Sequence, residues 1–343
     1  MKMTVQTLTL RLATPFRIAH GTSTERHNVL VHLGEGLGEG ALPPYYGFSM
    51  KDVVAYLHGL DLDALLAGDP PPLEHVLDAL PPGPAPARAA VDLALHDLWG
   101  KRLGHPLYRL WGLDPARAPL SARTLSIPET DAAFRETLAQ YRDAPILKLK
   151  IGTGSPERDE AIIRIAREET DARLCVDANS AWSVHEAAEL IPRLAAYDLL
   201  FIEQPIPAGD PDDWHVLRRH LPPGMPPLIA DESAHTTDDA IVLAGAADGV
   251  NVKLAKTGGL REARRMITVA KALDMKVLLG CMIESSVAVT AAAHLAPLAD
   301  FLDLDGTVHL ANDPFSGMRF DNGRISLPDR PGLGVTARET ALP

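Results

Sequence analysis

The hydrophobic and polar positions of the chain follow one pattern before about residue 119 and another after it. Residues 5–12 and 28–33 alternate apolar and polar side chains, which predicts two antiparallel strands with a polar loop over 16–26 between them. Apolar residues recur at helical spacing over residues 84–112, which predicts a helical segment. The first part of the chain is therefore expected to form a small α+β domain.

After this point, short apolar runs alternate with helical patterns such as those over 157–169, 184–196 and 259–273. Eight strands joined by seven helical crossovers predict parallel strands and a closed (β/α)7β barrel of the TIM type. A doubly wound open sheet is the alternative, but no Gly-x-Gly-x-x-Gly follows the first run to support a dinucleotide site. The predicted strands cover residues 119–127, 146–152, 173–179, 199–205, 227–233, 249–255, 276–282 and 301–307.

Composition and charge narrow the class of protein. Of the 343 residues, 46% are hydrophobic and 23% are charged, which is ordinary for a globular protein, and the formal net charge of -12 argues against nucleic acid or an anionic membrane as a partner. Cys175 and Cys281 lie in apolar runs and are expected to be buried thiols rather than a disulfide. Because no apolar run is long enough to cross a membrane and the N-terminus lacks the features of a secretory signal, we expect a cytoplasmic protein.

The second barrel strand carries two lysines on one face. Side chains alternate along a strand, so Lys148 and Lys150 face one side and the apolar residues between them face the other. Burying two neighbouring ammonium groups is costly, because each disfavours the charged form of the other. The pair therefore indicates a site that needs a lysine able to be neutral near pH 7, although an exposed strand would also fit this segment alone.

Three carboxylates stand at the ends of the next three strands. Asp177, Glu203 and Asp231 are 26 and 28 residues apart, one in each strand–helix unit. The carboxyl ends of barrel strands meet at one mouth, where three carboxylates repel one another unless a cation lies between them. Hard oxygen ligands suit Mg²⁺, and Mn²⁺ is expected to substitute for it.

The sixth strand adds a third lysine, Lys253, on the opposite side of the barrel from Lys150. A substrate carboxylate on the metal would place its α-carbon between these two side chains, so the arrangement predicts proton removal next to a carboxylate, with Lys148 as a supporting base. Two opposed bases allow the proton to leave one face and return on the other. Lys256 competes with Lys253, but it is expected in the loop beyond the strand.

These motifs together resemble the enolase superfamily, muconate-lactonizing-enzyme subgroup. The matching segments are Leu147–Lys150, Val176–Asn179, Ile202–Pro205, Ala230–Ser233 and Asn251–Gly259. The resemblance implies an α+β capping domain over residues 1–115 and a (β/α)7β barrel over 116–310. It also implies Mg²⁺ on three carboxylates, with lysines as the acids and bases. The remaining segment, 311–343, is expected to pack back on the capping domain.

Within that subgroup, Asp303-Leu304-Asp305 resembles the Asp-x-Asp of dipeptide epimerases. The two aspartates share one strand face opposite the metal, where they suit the ammonium group of a dipeptide. Further candidate substrate-binding residues are Glu284, His20 and Tyr45. Members of the family that act on Ala-Glu carry an arginine in the first capping loop, where this chain has Gly21, with Arg17 and Arg26 out of step. The chain therefore departs from the pattern for Ala-Glu, and the aromatic loop from Tyr45 to Phe48 favours an apolar substrate side chain.

The resemblance implies a Mg²⁺-dependent dipeptide epimerase that inverts the α-carbon of the C-terminal residue through an enediolate. The alternatives that share this site are an N-acylamino acid racemase, an o-succinylbenzoate synthase and a cycloisomerase. A Schiff-base aldolase or lyase, in which a lysine attacks a carbonyl, is a different class. A non-catalytic binding protein is a third class, against which the complete set of bases and ligands argues. The sequence predicts no macromolecular partner and leaves a homo-oligomer open.

Overall fold

The computed structural model of the protein describes residues 3–62, 66 and 70–339. Its strands are β1 (Met3–Ile18), β2 (Gly21–Leu33), β3 (Gly36–Gly40), β4 (Arg123–Leu125), β5 (Ile146–Lys150), β6 (Arg173–Asp177), β7 (Leu199–Glu203), β8 (Leu228–Ala230), β9 (Gly249–Val252), β10 (Lys276–Gly280), β11 (Phe301–Asp303), β12 (Phe315–Ser316), β13 (Arg319–Asp321), β14 (Arg324–Ser326) and β15 (Thr336–Ala337). Its α-helices are α1 (Met50–His58), α2 (Leu73–Ala79), α3 (Ala85–Leu103), α4 (Leu107–Leu110), α5 (Asp131–Gln140), α6 (Pro156–Glu169), α7 (Val184–Leu194), α8 (Asp212–His220), α9 (Thr237–Leu243), α10 (Leu254–Thr257), α11 (Leu260–Ala272) and α12 (Ser286–Ala293).

A long antiparallel hairpin, β1–β2, begins the chain. The two strands pair from Met3↔Leu33 down to Ile18↔Gly21, with an irregularity between Arg11 and Phe16. The predicted loop over residues 16–26 is therefore wrong, because most of that segment continues the hairpin. Its polar residues belong to strands that project beyond the core, where alternate positions face water.

Alternate glycines let helix α3 lie directly on strand β3. A Cβ atom added to Gly36, Gly38 or Gly40 would come within about 2 Å of a backbone oxygen of α3 or its first turn (2.2, 1.9 and 2.0 Å). Only glycine permits so close an approach between a helix and a strand. The glycine-rich stretch of the sequence is thus a strand under a helix, and α3 ends at residue 103 rather than continuing to 112.

The eight strands β4 to β11 form one parallel sheet in the order of the chain. The sheet closes where Ser121 bridges Leu302 in parallel and the Ala122 N–H donates to the Leu302 carbonyl at 2.9 Å. The closed barrel predicted from the sequence is confirmed, and the open doubly wound sheet is wrong. Apolar side chains fill the barrel interior below the mouth: Ala122, Ile146, Cys175, Phe201, Ile229 and Leu278. Cys175 and Cys281 are unpaired thiols, and Cys281 is half-buried rather than buried.

A buried carboxylate joins the N-terminal sheet to the barrel. Glu39 of β3 accepts hydrogen bonds from the hydroxyl and N–H of Ser285 (2.5 and 3.1 Å) and from the N–H of Ala288 at the start of α12. Asn28 of β2 donates to Glu39 at 2.7 Å and to the carbonyl of Ile283 at 3.1 Å. A negative charge at a helix N-terminus is favourable, so this contact fixes the sheet over the barrel mouth.

The C-terminal segment returns to the N-terminal part of the chain. Asn312 contacts the backbone of β1, and the N–H of Leu333 donates to Asp97 of α3 at 2.8 Å. The division at residues 115 and 310 stays a prediction, and its stretches 1–2, 63–65, 67–69 and 340–343 lie outside the described residues. Among the helices of the described part, none combines the length and the hydropathy that a bilayer span requires.

Candidate active site

The inward faces of neighbouring barrel strands bring charged side chains together at the mouth. In the parallel register Lys150 of β5 lies beside Asp177 of β6, and Asp177 lies beside Glu203 of β7. Asp231 follows β8 directly, and Lys253 follows β9. All five residues are buried. Because side chains alternate along each strand, the same face that is apolar deeper in the barrel becomes charged at its carboxyl end.

Asp177, Glu203 and Asp231 form one compact group of oxygen atoms. One carboxylate oxygen from each lies within 4.8 Å of the others, and each residue is at most 1% exposed. Burial and the adjacent Asp177 carboxylate raise the pKa of Glu203 to about 8. The Asn251 amide donates to Glu203 Oε1 at 2.7 Å and fixes the orientation of that carboxylate. A dense, oriented set of carboxylates that repel one another fits a hard divalent cation such as Mg²⁺.

Each of the predicted lysines contacts this carboxylate group. The Nζ atom of Lys150 lies 2.5 Å from Asp177 Oδ2, and that of Lys253 lies 2.6 Å from Asp231 Oδ2. Strands β5 and β9 are separated by three strands on either side of the closed barrel, so the two lysines approach the mouth from opposite directions. Lys148, fully buried one layer deeper, lies 2.7 Å from Glu203 Oε2 and 2.6 Å from Asp303 Oδ2.

The carboxylates also control the charge of the lysines. Burial lowers the pKa of Lys148, but Asp303, Glu203 and Asp177 outweigh it and raise that pKa well above its ordinary value. Burial likewise opposes the charge of Lys253, whereas Asp231 raises its pKa well above the ordinary value. The neutral lysine expected from the sequence therefore requires that the charge of these carboxylates be offset, which a bound divalent cation would do.

A fourth lysine belongs to the site. The sequence prediction that Lys256 lies in a loop is wrong, because it lies on the short helix α10 and is 3% exposed. Its ammonium group pairs with Asp231 and also donates to the backbone carbonyls of Asp231, Ala234 and Asn251. These carbonyls satisfy a buried ammonium group, so Lys256 orients Asp231 from behind while Lys253 remains at the cavity.

A single threonine contacts both aspartates at the end of β11. Thr124 donates its hydroxyl proton to Asp303 (2.9 Å) or Asp305 (3.2 Å), and its N–H donates to Asp305 at 2.7 Å. His309 lies 3.2 Å from the same Asp305 oxygen that accepts the Thr124 N–H. Since one hydroxyl proton serves two carboxylate oxygens, the pair keeps unused capacity to accept hydrogen bonds from a cation such as an ammonium group.

These residues surround a cavity beneath the N-terminal hairpin. Of the predicted site residues, Lys150, Lys253, Asp303, Asp305 and Tyr45 line it, and the metal-binding carboxylates and Lys148 lie just below. The predicted residues His20 and Glu284 are outside the lining.

The two excluded residues have other partners. His20 stacks on the Tyr45 ring at 4.8 Å and lies 3.7 Å from Glu232. Glu284 is 3% exposed and accepts a hydrogen bond from the Met282 N–H at 3.3 Å. Burial raises the pKa of Glu284 to about 8. Both side chains therefore support the cavity wall rather than face the cavity.

The cavity wall contains an arginine that the sequence interpretation placed out of step. Arg26 lines the cavity beside Tyr45, and among the described residues no carboxylate forms an ion pair with it. Its guanidinium donates to the Ser23 hydroxyl. Arg26 precedes the inward-facing Asn28 by two residues on β2, so strand alternation places both side chains on one face. The sequence prediction misses this alternation because it places residues 16–26 in a loop.

The fold and the site together define a capped parallel barrel with buried lysines around a carboxylate group that could hold a divalent metal ion. The pattern of the "Mandelate racemase / muconate lactonizing enzyme, N-terminal domain" matches residues 2–112, and that of the "Enolase C-terminal domain-like" family matches residues 132–341. The chain therefore belongs to the enolase superfamily, in its muconate-lactonizing-enzyme subgroup.

Several relatives are similar over nearly their whole length. The L-Ala-D/L-Glu epimerase of Bacteroides thetaiotaomicron is 39% identical, over 98% of this chain and 88% of the relative. The hydrophobic dipeptide epimerase of Roseobacter litoralis is 35% identical, over 97% and 98%. The crystal structure of a dipeptide epimerase from Cytophaga hutchinsonii, in complex with Mg and D-Ala-L-Val, has a TM-score of 0.87 at 28% identity, over 98% and 95%.

Proposed function

We propose that the protein is a Mg²⁺-dependent dipeptide epimerase that inverts the α-carbon of the C-terminal residue through an enediolate intermediate. One observation carries the proposal: a cavity lined by two lysines on opposed strands and by an aspartate pair lies directly above a group of three buried carboxylates. Relatives over nearly the full length are named dipeptide epimerases, which supports the same conclusion.

In this proposal each group has one task. Asp177, Glu203 and Asp231 hold Mg²⁺, which when bound supplies positive charge beside the substrate carboxylate and so stabilises the enediolate. Lys150 and Lys253 remove and return the α-proton from opposite faces. Lys148 joins the carboxylates to Asp303 and keeps their geometry, because its ammonium group contacts both.

Asp303 and Asp305 bind the ammonium group of the dipeptide, which distinguishes this substrate from N-acylated amino acids. Thr124 and Lys148 fix both carboxylates before the substrate arrives, so little order is lost on binding. An acyl group offers no cation to this pair and would gain nothing from its negative charge. The geometry therefore favours a dipeptide over the substrates of a racemase or a cycloisomerase.

Deuterium exchange tests the proposal directly. Dipeptides incubated with the protein and Mg²⁺ in D₂O are expected to gain one deuterium at the C-terminal α-carbon and to epimerise there. N-acetyl and N-succinyl amino acids provide the comparison, and mass spectrometry follows every compound. Preference for the N-acylated compounds over every dipeptide would contradict the proposal.

Two features of the cavity make opposite predictions for the side chain of the substrate's C-terminal residue. Tyr45 and Ile18 in the wall favour the apolar side chain expected from the sequence, whereas Arg26 offers a positive charge. In this proposal the metal serves the substrate carboxylate, Lys150 and Lys253 serve its α-proton, and the aspartates serve its ammonium group. Arg26 remains, and a half-buried guanidinium that pairs with no carboxylate of the described residues favours an acidic side chain. We therefore favour an acidic C-terminal residue over an apolar one.

Replacing Arg26 by methionine is expected to lower kcat/KM for Ala-Glu roughly ten- to a hundredfold, because one charge-assisted hydrogen bond is lost. The same change should leave kcat/KM for Ala-Leu within about twofold of the value for the unmodified protein, or raise it. Arg324→Met, on the exposed strand β14, is the matched control. An equal loss for both dipeptides, or a preference of the unmodified protein for Ala-Leu, would restore the apolar assignment.

A further inference from the structure

A second cavity adjoins the active-site cavity outside strand β4. The tip of the β1–β2 hairpin covers it from above, and helix α5 forms its far side. The backbone of the hairpin reaches the barrel here, since the N–H of Ile127 donates to the carbonyl of Arg17 at 2.9 Å. We refer to this space as the side cavity.

The wall between the two cavities consists of shared residues. Phe16, Thr124 and His309 line both of them. The Phe16 and His309 rings meet edge to face, with centroids 5.1 Å apart. Thr124 and His309 are also the residues that contact Asp305. The side cavity therefore begins where the proposed ammonium site ends.

The covalent structure of a dipeptide indicates which of its groups would lie at the wall between the two cavities. The α-carbon of the N-terminal residue is one bond from the ammonium group on Asp303 and Asp305. Its carbonyl continues towards the metal ligands, so its side chain is the group that leaves the active-site cavity near the shared wall. Phe16 is a side chain on a projecting hairpin, and rotamer changes of such side chains are common on binding.

The lining of the side cavity shows which side chain it would accept. Arg123 stacks on the ring of Tyr141 at 4.7 Å and donates from Nη2 to the Tyr141 hydroxyl at 2.9 Å. Its Nε atom is buried, and among the described residues it has no hydrogen-bond partner. A second cation, Arg17, lines the same space, and Glu129 is the acidic residue of the lining. Two arginines against one glutamate make this lining positive, which favours a ligand side chain that carries a carboxylate or amide oxygen.

We propose that the side cavity binds the side chain of the substrate's N-terminal residue, and that Arg123 makes it select N-terminal glutamate or glutamine over aliphatic residues. The proposal rests on the dipeptide epimerase function and deepens it, because it defines the second half of the substrate. Arg123 is a specificity-determining residue in this proposal and has no part in proton transfer.

The test is a series of X-Glu dipeptides in D₂O, with X as Gly, Ala, Leu, Gln or Glu. The unmodified holoenzyme is expected to show kcat/KM for Gln and Glu at least roughly tenfold above that for Leu. Arg123→Met should remove this advantage and leave Gly-Glu and Ala-Glu within about twofold. Arg173→Met, which changes an exposed arginine at the opposite end of barrel strand β6, is the matched control and should change nothing.

A second variant tests the space itself and does not depend on the folding of Arg123→Met. Thr137→Phe fills the side cavity from helix α5. It should lower kcat/KM for Leu, Gln and Glu at the N-terminus while leaving Gly and Ala unaffected. A thermal melt of each variant checks that the barrel is intact.

The outcomes separate this inference from the function on which it rests. Exchange with dipeptides that shows no dependence on X, or equal losses for all X in both Arg123→Met and Thr137→Phe, overturns the role of the side cavity alone. Absence of exchange from every X-Glu dipeptide and also from Ala-Leu overturns the epimerase function, and the inference with it.

Discussion

Replacing Lys150 by alanine is expected to abolish deuterium uptake from one enantiomer of the C-terminal residue, and Lys253→Ala from the other. The reason is geometric, because the two ammonium groups approach the mouth from strands on opposite sides of the barrel. A general base contributes roughly a hundred- to ten-thousandfold, so epimerisation should fall at least a hundredfold in either variant. Exchange in D₂O, started separately from the L,L and L,D dipeptides, measures both effects.

Lys276→Ala is the control for this experiment. Lys276 is an exposed lysine at the amino end of β10, on the same barrel but away from the mouth. The Lys276→Ala variant should exchange the α-proton of both dipeptides at the normal rate. If Lys150→Ala and Lys253→Ala both epimerised near the normal rate, the assignment of the two bases would be wrong. Loss of exchange from the same enantiomer in both variants would mean that the lysines act on one face.

Removal of the metal is expected to have an effect of similar size. Exhaustive chelation should abolish exchange, and Mg²⁺ or Mn²⁺ should restore it. Asp231→Asn should lower activity about a hundredfold or more, since it removes one charged ligand and leaves Lys253 and Lys256 without their carboxylate. Titration calorimetry with Mg²⁺ alone measures the affinity independently of the reaction, and it should show a clear loss.

The matched variant here is Asp238→Asn, an exposed carboxylate in the first turn of α9, close in sequence to the site. It should bind Mg²⁺ and exchange protons as the unmodified protein does. Full activity after chelation, or unchanged Mg²⁺ affinity in Asp231→Asn, would exclude the three-carboxylate group as the metal site.

The barrel was predictable because its signal repeats. Each strand of the barrel is a short apolar run, and its charged residue follows one rule, at the inward-facing position where the strand ends. Asp177, Glu203 and Asp231 could be aligned in this way without knowing a single distance. A repeated unit averages out the ambiguity that one short run leaves.

The hairpin was less predictable, and with it Arg26. Residues 16–26 are polar and have no buried face over most of their length, so alternation gives no contrast between core and solvent. Such strands are defined by their pairing partner, which local sequence does not reveal. Once the pairing is known, the same alternation places Arg26 beside Asn28 and towards the cavity.

Long-range partnerships account for the remaining differences. The sequence predicts a loop position for Lys256 because the adjacent residues in the chain do not reveal the three backbone carbonyls that accept its hydrogen bonds. The side cavity likewise depends on a hairpin that begins the chain and on a helix more than a hundred residues later. Contacts of this kind arise from the tertiary fold and have no local signature.

The hairpin that covers the barrel has a consequence for how this protein could change over evolutionary time. Its strands supply Phe16, Ile18 and Arg26 to the cavities, whereas the barrel strands supply the lysines and carboxylates. Arg26, the residue assigned to the C-terminal side chain, thus lies on a different segment of the chain from the groups assigned to proton transfer and metal binding. Glu39 provides one of the contacts that join the N-terminal sheet to α12 of the barrel. Recombination or mutation within the first thirty residues can therefore change which substrate side chain is accepted while the lysines and carboxylates of the barrel stay the same.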